Sequence, residues 1–529
     1  MADDKKNINS KTKISRRDVL KSISTFPLLG ILSYDFWKKK TKDEIKTKVF
    51  NVNLSLDDKD FTQAPEVVKN SRQILKIGII GVGSRAIALL KALGFLDPLR
   101  YESILKTSKT PEKAKVRLQS FFNQDMLNVH VVAVCDVFDL HADKGERIVS
   151  KGIQPNGEPV GIKGVKKYRR YQDLLANKEI DAVIVATPDF HHAEITIAAV
   201  KAGKHVYCEK AMTRTEEELH EVYKTVKNSN LVFQLGHQLS KSESYKRARE
   251  VINKNILGKV TLIETTTNRN TPSGAWIRHL DSKGNLKPGS PKTIDWDLWL
   301  GPAPYRPYNP QYLPAKWRRW WDFGCGRLGD MACHIMDPAF WALDLKAPYS
   351  VEAHPQRFTE EIVPESTEVR WEFEGRKDQP PLTITWYDGL SRPFLPKEVN
   401  QGFELPSQGG LYYGDKGVLL IPRRLLRTPP DKDLPTLLPV GNMEDVKPPE
   451  QLFERNLDHY QEWIKACKEG TLPSTNFDYS GPLTETVLLG NVAAKAGKRI
   501  LWDSKNFNVT NMPEANKYLK REYREGWSL

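Results

Sequence analysis

From Ile74 onward, short apolar runs alternate with stretches whose apolar residues recur at helical spacing. ILKIGII opens the series, and strands are predicted at Val129–Asp136, Ala182–Ala186, His205–Cys208 and Val232–Leu235. Helices are predicted between them, near Leu140–Ser150, Tyr171–Asn177, His192–Ala202 and Thr215–Ser229. Alternating βα units of this kind specify an α/β fold with a doubly wound parallel sheet. Farther along, the pattern predicts strands near Val260–Thr267, Thr367–Phe373, Leu382–Tyr387 and Gly410–Tyr413, and helices near Asn456–Lys468 and Pro482–Lys498. Ser480 and Pro482 suit the start of the last helix, because proline fits the first turn, where its missing N–H costs nothing.

The first apolar run leads directly into Gly81-x-Gly83-x-x-Ala86 and then a helical pattern. Gly81 permits a tight strand-to-helix turn, Gly83 lets a pyrophosphate approach the backbone, and Ala86 lets helix pack closely on strand. The phosphates then meet the unpaired N–H groups at the helix start. Val129–Asp136 ends in a carboxylate suited to accept hydrogen bonds from an adenosine ribose and to repel a 2′-phosphate, which favours NAD over NADP. Asp136 comes about fifty residues after Ala86, against the usual spacing of about 20 from the glycines to the acid. An insertion at roughly Phe95–Leu127 accounts for the excess; capping of the next loop is the alternative role for Asp136.

Composition narrows the possibilities. A chain of 529 residues is long enough for two or three domains, and it contains no apolar run of about 20 residues that would span a bilayer as a helix. Met1–Phe50 holds 13 Lys and Arg against 6 Asp and Glu, so this segment supplies half of the formal +14. The remaining basic residues are scattered, with no zinc-finger or helix-turn-helix pattern, and nucleic acid is not expected as a partner. Within the basic segment, Ser15-Arg16-Arg17-Asp18-Val19-Leu20-Lys21 precedes the apolar stretch Ile23–Leu32. That arrangement resembles a twin-arginine export signal, expected over residues 1–35, with a charged linker over 36–71. The five cysteines are few and odd in number, which argues against a disulfide framework. Cys325, Asp330, Cys333 and His334 do not match a common zinc spacing, so no metal is expected.

The candidate chemistry lies where parallel strands end. Thr187-Pro188-Asp189-Phe190-His191-His192 follows one strand and Glu209-Lys210 follows the next, both at carboxyl ends that face a ligand crevice. A lysine there can set its ammonium beside a substrate hydroxyl or carbonyl, and it works as a base once its surroundings favour the neutral amine. In GCGRLGDMACHIMD, residues 324–337, Asp330 and His334 are four apart and share one face of a helix. Such a histidine can take a proton from a sugar hydroxyl while an aspartate orients it. Trp317-Arg318-Arg319-Trp320-Trp321 just upstream offers aromatic faces for sugar rings and arginines for carboxylates or hydroxyls, or else buried structural tryptophans. Tyr305–Tyr312 lies in a proline-rich loop that fits the same mouth.

Taken together, GVGSRA, TPDFHHAEITIAAVKAGKHVYCEKA, DWDLWLGPAP and GRLGDMACHIMD, over about Ile74 to Trp502, resemble the Gfo/Idh/MocA oxidoreductases. The resemblance implies an N-terminal NAD-binding Rossmann domain (72–238) and a C-terminal α/β domain (239–505) whose open, largely antiparallel sheet carries the substrate site, followed by a C-terminal tail (506–529). It also implies a homo-oligomer. It assigns nucleotide contacts to Gly81, Gly83, Ser84, Arg85, Asp136, Thr187, Pro188, His192 and Glu209, and catalysis to Lys210, Asp330 and His334. The family has Glu-Lys-Pro where this chain has Glu209-Lys210-Ala211.

Export constrains the reaction, since free NAD is scarce outside the cytoplasm and a retained cofactor must return the hydride it takes. The expected function is an oxidoreductase exported by the twin-arginine machinery, either periplasmic or tethered to the membrane by an uncleaved signal, acting on a sugar or glycoside hydroxyl with tightly bound NAD. One alternative is a redox-neutral glycosidase working by oxidation, elimination, hydration and reduction. Another is a carbohydrate-binding protein on a Rossmann scaffold.

Overall fold

Leu75–Ile80 (β1) is buried almost throughout, as a central strand covered on both faces must be. The computed structural model of the protein describes residues 74–108, 110–268, 293–309, 311–313, 316–376, 378–394, 405–422, 435–438, 452 and 458–529. The expected export signal and linker lie outside the described residues. After β1 come α1 (Ser84–Ala92), α2 (Pro98–Thr107), α3 (Pro111–Phe122), β2 (Val129–Cys135), α4 (Asp139–Lys151), β3 (Lys166–Tyr168) and α5 (Tyr171–Leu175). Then follow β4 (Ala182–Val185), α6 (His192–Lys201), β5 (His205–Cys208), α7 (Glu216–Lys227) and β6 (Phe233–Leu235). The six strands are parallel in the order β3-β2-β1-β4-β5-β6, so the order reverses between β1 and β4, where dinucleotides bind in such sheets.

The insertion between α1 and β2 is the helical pair α2 and α3. Asp97 and Thr110 accept N-terminal N–H groups through their side chains, and Pro98 and Pro111 occupy the first turns. β3, a short edge strand of sequence Lys-Lys-Tyr, has no apolar run to announce it.

The second sheet begins after α8 (Glu243–Asn253) with β7 (Val260–Thr267); α9 (Trp296–Leu300) and α10 (Asp337–Leu343) precede β8 (Ser350–Gln356). β9 (Ser366–Phe373), β10 (Leu382–Asp388), β11 (Gln408–Gly414), β12 (Val418–Pro422) and β13 (Thr436–Leu438) follow. Helices α11 (His459–Glu469) and α12 (Phe477–Ala496) lead to β14 (Ile500–Asp503) and β15 (Asn508–Val509). The nine strands run β13-β12-β11-β7-β10-β9-β8-β14-β15. β7 and β10 pair in parallel, while the other pairings are antiparallel.

The two last helices tie the sheets together. α12 is buried on most sides, as expected of a helix with apolar residues all round. Its Leu483, Val487 and Val492 join the core under the nine-stranded sheet, while Phe477 and Leu488 join the Rossmann core. The helix begins earlier than its proline suggests, because Asn476 caps it by accepting from Asp478 N, and Pro482 lies inside. α11 falls in the chain segment expected for the second domain, but its Trp463, Ile464 and Cys467 pack with β1 and α1 residues of the first. The expected tail forms β15 and the 3₁₀ turn Pro513–Leu519. Beyond it, Arg521 donates to Phe190 O and Arg524 to Gly301 O, strapping the chain end across the first domain and α9.

Candidate active site

The glycine turn has the form its sequence requires. Gly81 has φ +83°, and a Cβ there would lie 2.7 Å from Thr187 N, so both conformation and space select glycine. At Gly83 the opposite holds: a Cβ would meet nothing within 4 Å, leaving open room above the helix start. Ser84 begins α1, and no side chain caps its N-terminus, so its first N–H groups are free of side-chain acceptors. Asp136 follows the end of β2; its Oδ2 accepts from Val82 N at 2.7 Å and its Oδ1 from Phe138 N at 2.9 Å. The carboxylate thus braces the glycine loop from the end of β2. Open glycine cradle, uncapped helix start and strand-end carboxylate together fit an NAD-type dinucleotide.

Three residues assigned to the nucleotide hold each other or the backbone instead. Thr187 and Pro188 form the loop after β4, but His192 is only 1 % exposed, with Nδ1 2.6 Å from Ala211 O and Nε2 2.9 Å from Thr187 O. Both ring nitrogens are committed to carbonyls, so His192 staples the loop after β4 to the loop after β5. Burial opposes its protonation, yet Cys208, Asp189 and the Ala211 carbonyl outweigh burial and carry its pKa to about 10. Arg85 Nε lies 2.6 Å from Glu209 Oε1, and Arg85 also donates to Tyr460 Oη at 2.9 Å. Arg85 and Glu209 therefore clamp α1 to the end of β5 and to α11.

The catalytic candidates come together from distant segments. Lys210 Nζ donates to Asp330 Oδ1 at 2.6 Å and to Asp330 O at 2.8 Å. Arg318 Nε approaches the same Oδ1 at 3.4 Å. Asp330 lies in a π-helical turn, Leu328–Ala332, that continues into the α-helical turn Cys333–Ile335. Gly329 makes this approach possible, because a Cβ there would be 2.3 Å from Cys325 Cβ and 3.5 Å from Ala211 Cβ. The Lys210–Ala211 peptide is cis, with alanine in the family's proline position. His334 is buried, and its carbonyl accepts from Tyr245 Oη at 2.6 Å.

Two further residues belong to this cluster. Asp189, in the loop after β4, is buried; burial pushes its carboxyl above the usual range, against the pull of Arg318, His192 and Lys210. His237 is 1 % exposed, and its ring lies 6.3 Å from that of His334, nearly edge-on. Neither His237 ring nitrogen has a hydrogen-bond partner among the described residues. Burial first, and Lys210 second, lower its pKa to about 3, so the imidazole is neutral. The sequence signal for His237 was its place just after β6, at the same crevice edge as Lys210.

The tryptophan run is mostly core. Trp317 and Trp320 are buried in an aromatic cluster with Phe190, Trp299, Tyr312 and Phe323, and Lys495 Nζ lies 4.4 Å from the Trp321 ring. Arg318 stacks 4.2 Å over Trp317, which aims it at Asp330. Tyr312 is inside the cluster and Tyr305 is exposed. Cys325 and Cys333 are buried thiols directed at the carbonyls of Thr213 and Gly329.

Comparisons with known proteins agree with this architecture. Residues 75–237 match the oxidoreductase family's NAD-binding Rossmann fold, and residues 242–376 match its C-terminal alpha/beta domain. A levoglucosan dehydrogenase of Pseudarthrobacter phenanthrenivorans is 28% identical over 169 residues, covering 32% of this chain and 34% of that protein. A 2,7-anhydro-N-acetylneuraminate hydratase of Escherichia coli is 34% identical over 95 residues, covering 18% of this chain and 26% of that protein. These matches thus span about a quarter to a third of the relatives' lengths. In three dimensions, the WlbA dehydrogenase of Bordetella pertussis, solved with NADH and UDP-GlcNAcA, superimposes with a TM-score of 0.51 at 15% identity. That superposition covers 82% of this chain and 99% of the other. The chain belongs to the Gfo/Idh/MocA oxidoreductase family.

Proposed function

We propose that this protein oxidises a hydroxyl-bearing carbon of a sugar or glycoside. When bound, NAD supplies the hydride acceptor. Gly81, Gly83, the start of α1 and Asp136 hold the dinucleotide. Lys210 reaches the crevice from the end of β5, and its 2.6 Å pair with Asp330 carries this reading, because it joins the cofactor domain to the catalytic turn of the second domain. Asp330 orients the lysine, the Lys210 ammonium donates to the substrate oxygen, and His334 takes the hydroxyl proton as the carbonyl forms. Arg318 on its Trp317 platform presents a guanidinium to the substrate's oxygens.

A redox-neutral course, in which the sugar is oxidised, loses a group by elimination, gains water and is reduced again, is the second reading. The similarity to a hydratase favours it, since that name describes addition of water rather than net oxidation. Ser15-Arg16-Arg17 ahead of an apolar stretch supports export through the twin-arginine pathway and hence a cofactor loaded before export and retained in the periplasm.

Mass spectrometry of the small molecules released on denaturing freshly purified, unsupplemented protein tests retention; near-stoichiometric NAD or NADH is expected, and NADP would overturn the reading of Asp136. Incubation with a chromogenic glycoside then separates the two courses. Aglycone release without an added acceptor identifies the redox-neutral one, and accumulation of a ketosugar identifies the dehydrogenase. Lys210→Ala is expected to lower turnover by about 10²–10⁴-fold; unchanged turnover would remove Lys210 from the mechanism.

A further inference from the structure

On the far side of the catalytic turn lies a cleft of about 30 Å³, open on one side. The start of α7, the loop through Cys325, the end of α12 and the chain-end strap form its walls. Its charged lining is Arg214, Lys495, Lys520 and Glu216. Lys495 is held against Trp321 and Tyr518 through its ammonium, 4.4 and 5.9 Å from the ring centroids. It makes no ion pair among the described residues. Arg214 gives Nη1 to Trp321 O, but its Nε has no partner. Glu218, the carboxylate whose charge acts most on Arg214, is shared: Oε1 takes Arg521 at 2.6 Å and Tyr523 at 2.9 Å, and Oε2 takes the backbone N–H groups of Arg214 and Thr215.

Glu216 is the remaining acid in the cleft. It is 1 % exposed, and neither carboxyl oxygen has a hydrogen-bond partner among the described residues. Burial and the neighbouring Glu485 push its carboxyl well above the usual carboxylate range, toward an O–H donor rather than a countercharge. Burial, followed by Arg214, lowers the pKa of Lys495 to about 8 against the weaker pull of Cys325 and Asp322, the mark of a cation without a close counterion. Lys495 and Arg214 are part-buried; withdrawing charge from water without compensation is costly, and a cleft that gathers such cations is stabilised by an anion brought from outside.

We propose that this cleft binds a small inorganic oxyanion between Lys495, Arg214 and Glu216, with Lys520 closing its open side. The enclosed volume has room for about two water-sized atoms, which suits two oxygens of an oxyanion, the rest facing Lys520. Cys325 lines the cleft and packs on Gly329, so the ligand sits against the segment that carries Asp330.

The test uses the full-length protein and inorganic phosphate, with sodium chloride matching the ionic strength, and needs no substrate. Calorimetric titration is expected to give saturable one-site binding, and saturating phosphate is expected to raise the unfolding midpoint by about 2–4 °C. Lys495→Met should abolish both effects. Lys520 is exposed at the cleft mouth, so Lys520→Ala keeps the fold and should weaken phosphate affinity about 3–10-fold; this variant decides the matter if Lys495→Met does not fold. No saturable binding to the parent, or equal affinity in parent and Lys520→Ala, overturns the proposal.

Discussion

The two sides of the Cys325–Asp330 turn treat positive charge in opposite ways. In the crevice, Lys210 and Arg318 share the Asp330 carboxylate at 2.6 and 3.4 Å. In the cleft behind, Lys495 and Arg214 have cation–π and carbonyl contacts but no ion pair with a carboxylate among the described residues. A cation paired with a carboxylate is positioned by the protein itself and is ready to act on a neutral substrate. An unpaired one is a demand for a ligand. The same folding unit thus carries a preorganised site and, by our inference, a site completed only when an anion enters.

The comparison is most severely broken by Asp330→Asn, which makes the crevice resemble the cleft. Lys210 would keep the main-chain oxygen and a neutral amide oxygen of residue 330, and both it and Arg318 would lose their countercharge. Turnover should fall by about 10²–10³-fold, with stability lower by about 2–3 kcal/mol and nucleotide content unchanged. Steady-state kinetics, denaturant titration and mass spectrometry check the three parts, and full activity in the variant would deny Asp330 its orienting role.

His237→Asn is expected to have a smaller effect, because asparagine keeps a hydrogen-bonding group beside His334. We expect kcat to drop about tenfold and the pH dependence of stability to change with a defined sign. The folded protein keeps His237 neutral down to about pH 3, whereas the unfolded chain takes up the proton near its ordinary pKa of about 6.5. His237 therefore costs nothing above about pH 6.5 and destabilises the fold progressively as pH falls below it. The variant's stability should decline less between about pH 6.5 and 5. Identical slopes would show that the histidine titrates freely in the folded state.

The smallest effect sharpens the cleft side. The folded pKa of Lys495 is lowered to about 8, so between there and its ordinary value of about 10.4 the unfolded chain holds a proton that the folded one has released. Stability attributable to this group rises with pH across that window, and its cost is fully present below about pH 8. Saturating phosphate should flatten the rise by restoring the ammonium. A rise equally steep with and without phosphate in equilibrium unfolding would leave Lys495 outside the anion site.

Much of the cofactor side was legible because its determinants are local. Strand, glycine turn and helix start occupy Leu75–Ala92, and their spacing alone fixes the geometry that a pyrophosphate meets. Lys210 was legible from its place at a strand end. His192, Arg85 and Glu209 were found as residues of the crevice region, but the direction in which they face was not. His192 meets the carbonyl of Ala211, 19 positions away, and Arg85 meets Glu209 across 124. Neither meeting leaves a trace in periodicity. The tryptophan run has the same lesson: composition offered either sugar platforms or core, and packing put Trp317 and Trp320 in the core while leaving Arg318 to stack and point toward Asp330.

By itself, then, the sequence determined the parallel sheet, its crevice edge, the dinucleotide turn and the residue types that carry proton chemistry, since these follow from side-chain periodicity and backbone sterics over a few neighbouring positions. Only the tertiary structure decided that Lys210 meets Asp330 across 120 positions, that His237 lies beside His334, and that Arg214 and Lys495 line one cleft without an ion pair among the described residues. Those outcomes depend on which distant segments exclude water from one another, and burial, which sets both pairing and proton affinity, is a property of the packed chain rather than of any stretch of it.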